Sequence, residues 1–204
     1  MNYLAHLYLA KRDPGLLVGG FLGDFVKGQL TGEIPHNIER GIRLHRAIDR
    51  FTDHHPLMPA CREVLPKGSR RVSGIIIDVV FDHFLALSWA DFSEIDLAAF
   101  DRETFERLLT AETRPYFPSV ALNMCLQMQA RQSLLRSVDP QFVETSLVSI
   151  GRRLRRGDRY FSAAQVAEIH ARWPNLRPFF DEFFASTLVF VDNWCTNSTL
   201  KTQD

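Results

Sequence analysis

The sequence is poor in several things that would mark its chemistry at once. Three cysteines, Cys61, Cys125 and Cys195, stand far apart in 204 residues. They form neither a CxxC pair nor a zinc-ribbon spacing, so a disulfide framework and a thiolate zinc site are both excluded, and reduced thiols in an intracellular protein are expected. The formal net charge is zero, which gives no general attraction to nucleic acid or to a membrane surface. Apolar runs are too short or too charged to span a bilayer. The N-terminal MNYLAHLYLAKRD has no basic stretch ahead of its apolar run, so it reads as folded structure in a cytoplasmic protein rather than as a signal peptide. P-loop, GxSxG and GxGxxG-after-strand patterns are missing, and no Ser or Cys sits in a motif beside a candidate base. Internal repeats and low-complexity segments are absent. Period-2 alternation is scarce, which argues against a sheet.

What remains is helical periodicity almost throughout, so the fold class is all-α. The length suits one domain over 1–204. Residues 1–92 carry most of the site candidates, 93–195 are a helical remainder, and the tail 196–204, which ends in NSTLKTQD, is expected to fray. A short helix is expected over Met1–Ala10, closed by the Asp13-Pro14-Gly15 turn. A glycine-containing helix follows over Gly15–Gln29. Pro35 opens a helix to Asp53, and a short one spans Leu57–Leu65. Ser69 can cap a central helix running to Trp89. Further helices are read over Leu97–Glu112, Ser119–Arg136, Pro140–Arg156 behind Asp139, and Ala163–Trp173 behind Ser162. A last helix runs through Trp194, with its phenylalanines in the core.

The chain is organised around residues 75–90, IIIDVVFDHFLALSWA. As a helix this stretch is apolar all round and therefore buried. Yet it contains Asp78, Asp82 and His83. A buried carboxylate stays ionised only when paired or metal-bound. Asp78 and Asp82 lie one turn apart on one face, with His83 about 100° further round. One such residue alone reads as a satisfied core group; three together point to a site. A second set lies in GIRLHRAIDRFTDHH, where His45, Asp49 and Asp53 form an i, i+4, i+8 stripe. His and Asp one turn apart can bind one cation, or the carboxylate can orient the imidazole. The bland alternative pairs Asp49 with Arg46 or Arg50 on a solvated helix face. Asp24 in GGFLGDFVKG is suggestive alone, and His6 in NYLAHLYLA alone reads as a core histidine. Together these supply imidazoles and carboxylates from separate helices, a donor set that suits Mn²⁺, Fe²⁺, Mg²⁺ or Zn²⁺. Such a cation serves hydrolysis by activating water and neutralising phosphoryl charge. Basic residues gather in GRRLRRGDRY (Arg152, Arg153, Arg155, Arg156 and Arg159), at Arg70 and Arg71, and at Lys27. Each cluster is either a solvated helix end or a dock for an acidic partner or phosphate.

Four blocks, NYLAHLYLA, LGDFVKG, GIRLHRAIDRFTD and RRVSGIIIDVVFDHFLALSW, resemble in order and spacing the acyl carrier protein phosphodiesterases. That family is similar in turn to HD-type metal phosphohydrolases with a rearranged motif order. The resemblance implies a single all-helical domain that prefers Mn²⁺. It implies hydrolysis of the phosphodiester between 4′-phosphopantetheine and a serine of holo-acyl carrier protein, giving apo-acyl carrier protein and free 4′-phosphopantetheine. The family pattern falls on His6, Asp24, His45, Asp49, Asp78, Asp82 and His83. Asp24, His45, Asp82 and His83 are then expected as metal ligands. Asp49, Asp78 and His6 are expected as ligands or as groups that orient ligands and water. Lys27, Arg46 and Arg50 would hold phosphate charge. Arg70, Arg71, Arg152, Arg153, Arg155 and Arg156 would dock the acidic carrier protein. Two rival readings are a phosphohydrolase of small phosphodiesters or nucleotides, and a non-catalytic helical protein that binds acyl carrier protein.

Overall fold

The computed structural model describes residues 2–200, which contain helices and no strand. The helices are α1 (Tyr3–Ala10), α2 (Pro14–Leu22), α3 (His36–Asp53), α4 (Met58–Val64) and α5 (Ser73–Leu87). They continue as α6 (Leu97–Leu108), α7 (Ser119–Ala130), α8 (Pro140–Arg153), α9 (Ala163–His170) and α10 (Arg177–Leu200), joined by short 3₁₀ turns. No described helix is long and apolar enough to cross a membrane.

The central stretch behaves as its composition demands. Ile76, Ile77, Val79, Val80, Phe81, Phe84 and Leu85 of α5 are all buried, with α1, α4, α8 and α10 packed around them. Phe180, Phe183 and Phe184 of α10 are fully buried. Phe81 meets Phe180 and Phe183 edge-on at 5.5 and 5.0 Å, the preferred geometry for aromatic pairs. The last helix therefore contributes to the core.

Helices α2 and α3 approach backbone to backbone. A Cβ on Gly19 would lie 2.1 Å from the carbonyl oxygen of Ile38, and one on Gly41 would lie 2.8 Å from Cα of Gly19. Glycine costs helix stability; here it allows a contact that any side chain would block. This contact sets the depth at which α3 presents His45.

Several boundaries differ from the sequence expectation, for local reasons. Asp13 does not close a turn; its side chain accepts from the Leu16 N–H and caps α2. Helix α2 stops at Leu22 rather than Gln29, and Gly28 beyond it has a left-handed φ of 80°. Ser69 lies in a 3₁₀ turn and caps nothing, so α5 begins at Ser73, whose hydroxyl donates to the Arg70 carbonyl. Helix α6 stops at Leu108 and α9 at His170. Helix α7 ends at Ala130, just before Gln132 at φ 50°, and α8 ends at Arg153, short of Arg156 at φ 63°. Helix α10 runs on to Leu200, through the start of the stretch expected to fray; residues 201–204 lie outside the described range.

Candidate functional site

Three helices, α1, α2 and α3, converge on one cluster. His45 projects from the middle of α3. Its Nδ1–H donates to the Gly20 carbonyl on α2 at 2.8 Å, which turns Nε2 toward two carboxylates. Nε2 lies 3.2 Å from Oδ2 of Asp49, one turn further along α3, and 3.7 Å from Oδ1 of Asp24, just past the end of α2. Gly23 makes room for this ring: a Cβ there would lie 2.2 Å from the His45 Cγ. His6 arrives from α1 and stacks on His45 with ring centroids 4.0 Å apart. Its Nε2 lies 3.0 Å from the other Asp49 oxygen, Oδ1. One carboxylate thus faces both imidazoles. Among the described residues, His6, His45 and Asp49 can each bring a donor atom within 4.8 Å of the others. The histidines are buried, whereas the side chains of Asp49 and Asp24 are 42% and 49% exposed. The cluster is therefore open to solvent on its carboxylate side.

The electrostatics follow from this placement. Burial opposes charge on His45, but Asp24 and Asp49 outweigh it and push its pKa up to about 9. Burial dominates at His6 and pushes it down to about 4, against the pull of Asp49. Burial alone would raise Asp24 and Asp49, but the neighbouring imidazoles hold both carboxylates below their usual range. Without a cation, a charged His45 offsets only one of the two carboxylates beside a neutral His6, so the cluster keeps a net negative charge.

The remaining candidates are placed differently. Asp82, expected as a ligand, is not brought into the cluster. Its Oδ2 and Oδ1 accept the backbone N–H groups of Leu4 and Ala5, at 2.8 and 3.1 Å. It thereby holds the first turn of α1, the turn that carries His6, where a carboxylate complements the helix dipole. Burial nonetheless pushes Asp82 up to about 7 against those donors. His83, also expected as a ligand, points elsewhere: Nδ1 donates to the Ser137 carbonyl at 2.7 Å and the ring packs on Trp173. Asp78 is half-buried on the wall of a cleft that it shares with Asp24 and Asp82. Asp53, at the end of α3, is exposed.

Among the cations, Arg46 spans back to the Val26 carbonyl at 2.8 Å, Lys27 and Arg50 are exposed, and Arg70 pairs with Glu63 at 2.7 Å. Arg71, Arg152, Arg153, Arg155 and Arg156 are exposed, and Arg153 also lines the cleft. Rival nucleophiles fare poorly. Burial pushes Cys61 and Cys125 up to about 11 and 12. The Ser186 hydroxyl, 2.8 Å from His55, donates to the Phe183 carbonyl.

The cleft has a volume of about 660 Å³ and runs from Asp24 across α5 to α7 and α8. Sequence reasoning missed it, and missed Tyr3. Burial and the adjacent Asp24 carboxylate raise the Tyr3 phenol, and Arg153 opposes them. The signal for Tyr3 was present in NYLAH, where it stands three residues before His6 on the same helical face.

The sequence profile of the family described as "Acyl carrier protein phosphodiesterase" matches residues 1–187. A protein of that name from Serratia proteamaculans is 32% identical over 185 residues, covering 90% of this chain and 94% of its own. One from Photorhabdus laumondii is 31% identical over 173 residues, covering 83% and 85%. One from Escherichia coli O6:H1 is 35% identical over 159 residues, covering 78% and 81%. No solved structure matches the chain. The profile takes in His6, Asp24, His45 and Asp49 together with the helices that carry them, and with relatives this similar across most of its length the chain belongs to the acyl carrier protein phosphodiesterase family.

Proposed function

We propose that this protein hydrolyses the phosphodiester joining 4′-phosphopantetheine to a serine of holo-acyl carrier protein, with a divalent cation, preferentially Mn²⁺, held by His6, His45 and Asp49. The observation that carries the reading is the stacked histidine pair sharing the Asp49 carboxylate in a member of this family. Two neutral imidazoles and a carboxylate are a suitable donor set for such an ion. The Nδ1–H bond from His45 to a backbone carbonyl is the arrangement that directs a ligating imidazole. Asp24 stands at 3.7 Å from His45 as a further oxygen donor. When bound, the cation supplies Lewis acidity toward a phosphoryl oxygen and toward water.

The chain's own residues do the rest. Asp24 is ionised and solvent-accessible, so it can accept a proton from water at the cluster. The water oxygen bonds to phosphorus, the bond from phosphorus to the serine oxygen breaks, and the displaced proton returns to that oxygen. The products are apo-acyl carrier protein and 4′-phosphopantetheine. Asp82 fixes α1 and through it His6. The exposed arginines at 152–156 complement an acidic carrier protein and aid encounter.

Intact-mass analysis of holo-acyl carrier protein incubated with the protein and Mn²⁺ tests this. Loss of the whole phosphopantetheine arm is expected, and EDTA or Asp49→Ala should abolish it. An unchanged mass with a folded, metal-loaded protein overturns the assignment. Turnover of a small phosphodiester alone would then move the same cluster to the broader phosphohydrolase reading.

A further inference from the structure

We propose that the cleft between α5, α7 and α8 receives the pantetheine arm of the substrate, with the arm's phosphate at the Asp24 end beside Tyr3 and Arg153. The inference rests on the function proposed above and extends it to the part of the substrate that is not cleaved.

Steric reasoning selects the occupant. The phosphorus must reach the cluster formed by His6, His45 and Asp49. Two groups are esterified to it: a serine on a folded protein, and a linear chain with two amides and a thiol. The cleft, at about 660 Å³, falls in the small-ligand range of about 300–1,000 Å³. A folded carrier protein is far too large for it, whereas the linear arm is of a size the cleft can take. Asp24 belongs to both places: its Oδ1 is 3.7 Å from Nε2 of His45, and it lines the cleft.

The lining has the chemistry such an arm requires. Near Asp24, the Tyr3 hydroxyl and the Arg153 guanidinium act on one another. A phosphodiester there meets a phenolic donor and a cation suited to phosphate oxygens. On the same lining, Met124 and Met128 of α7 provide apolar, adaptable surface for the methylene and gem-dimethyl groups. Ser149 of α8 presents an exposed hydroxyl within hydrogen-bonding chemistry of the amides. The carrier domain stays outside, where Arg152, Arg155 and Arg156 are exposed at the end of α8.

Methionine-methyl NMR on the full chain reads occupancy directly. The methionines besides Met1 are Met58, Met124 and Met128; Met58 is buried and does not line the cleft. On titration with free 4′-phosphopantetheine, the Met124 and Met128 methyls should shift and Met58 should not. Ser149→Trp, which fills the cleft from an exposed position, should abolish those shifts and lower turnover of holo-acyl carrier protein at least tenfold. Thr145→Trp, also exposed on the lining, repeats the test should Ser149→Trp fail to fold by circular dichroism. Turnover of holo-acyl carrier protein with unmoved Met124 and Met128 methyls, or undiminished turnover by folded tryptophan variants, overturns the cleft assignment and leaves the activity standing. Methyl shifts without any turnover uphold the cleft and overturn the activity. Neither shifts nor turnover overturns both.

Discussion

His6 and His45 come from different helices and stack face to face at 4.0 Å, each directing Nε2 at a different oxygen of Asp49. Their pKa values separate: burial pushes His6 down to about 4, whereas Asp24 and Asp49 overcome burial at His45 and push it up to about 9. The carboxylate they share makes the pair a candidate cation site.

Asp49→Ala should therefore do more than any single histidine change. It removes the group common to both rings. Mn²⁺ affinity, followed by isothermal calorimetry, is expected to fall at least about 100-fold, beyond the loss typical of groups that only orient a ligand. Turnover should fall with it.

Metal binding must displace the His45 proton, so Mn²⁺ affinity should rise with pH toward about 9. The expected slope approaches about tenfold per pH unit, one proton released per ion. In the metal-free protein the sign is opposite for stability. A histidine whose folded pKa is raised stabilises fully below its unfolded value of 6.5, and that contribution is lost as pH rises through about 9. Melting curves of metal-free Asp49→Asn should lose less stability than wild type between these limits.

Gly23→Ala separates packing from chemistry. The new Cβ would fall 2.2 Å from Cγ of His45, so the ring must leave its place against the Gly20 carbonyl. Far-UV circular dichroism should stay helical, with a loss of about 1–3 kcal/mol from overpacking. Mn²⁺ affinity should drop at least about tenfold.

Asp82→Ala leaves the buried N–H groups of Leu4 and Ala5 without their acceptor. A cost of about 1–3 kcal/mol per buried donor is expected in urea unfolding. Hydrogen exchange should quicken first at the start of α1. Mn²⁺ binding should weaken less than in Asp49→Ala, because Asp82 reaches the cluster only through the helix that carries His6.

Reversing charge at Arg152, Arg155 and Arg156 to Glu should raise KM for holo-acyl carrier protein and flatten its salt dependence, while kcat changes little. These side chains are exposed and outside the histidine cluster, where charge governs encounter more than chemistry. Steady-state kinetics over a range of ionic strength would show this.

By itself the sequence determined the helical class, the buried α5 and the His45–Asp49 pair. Each is a local property: periodicity sets which residues share a face, and four residues along a helix bring an imidazole over a carboxylate. Only the tertiary structure decided the partners of that pair. Periodicity says which face is buried but not which helix lies opposite. His6 therefore reads alone as a core histidine, yet stacks on His45 because α1 packs beside α2 and α3. Asp82 and His83 read as ligands because carboxylate and imidazole in an apolar helix demand partners. The fold satisfied that demand with backbone instead, two N–H groups for Asp82 and the Ser137 carbonyl for His83. Only the structure shows what the glycines ahead of Asp24 admit: the backbone of α3 at Gly19 and the ring of His45 at Gly23.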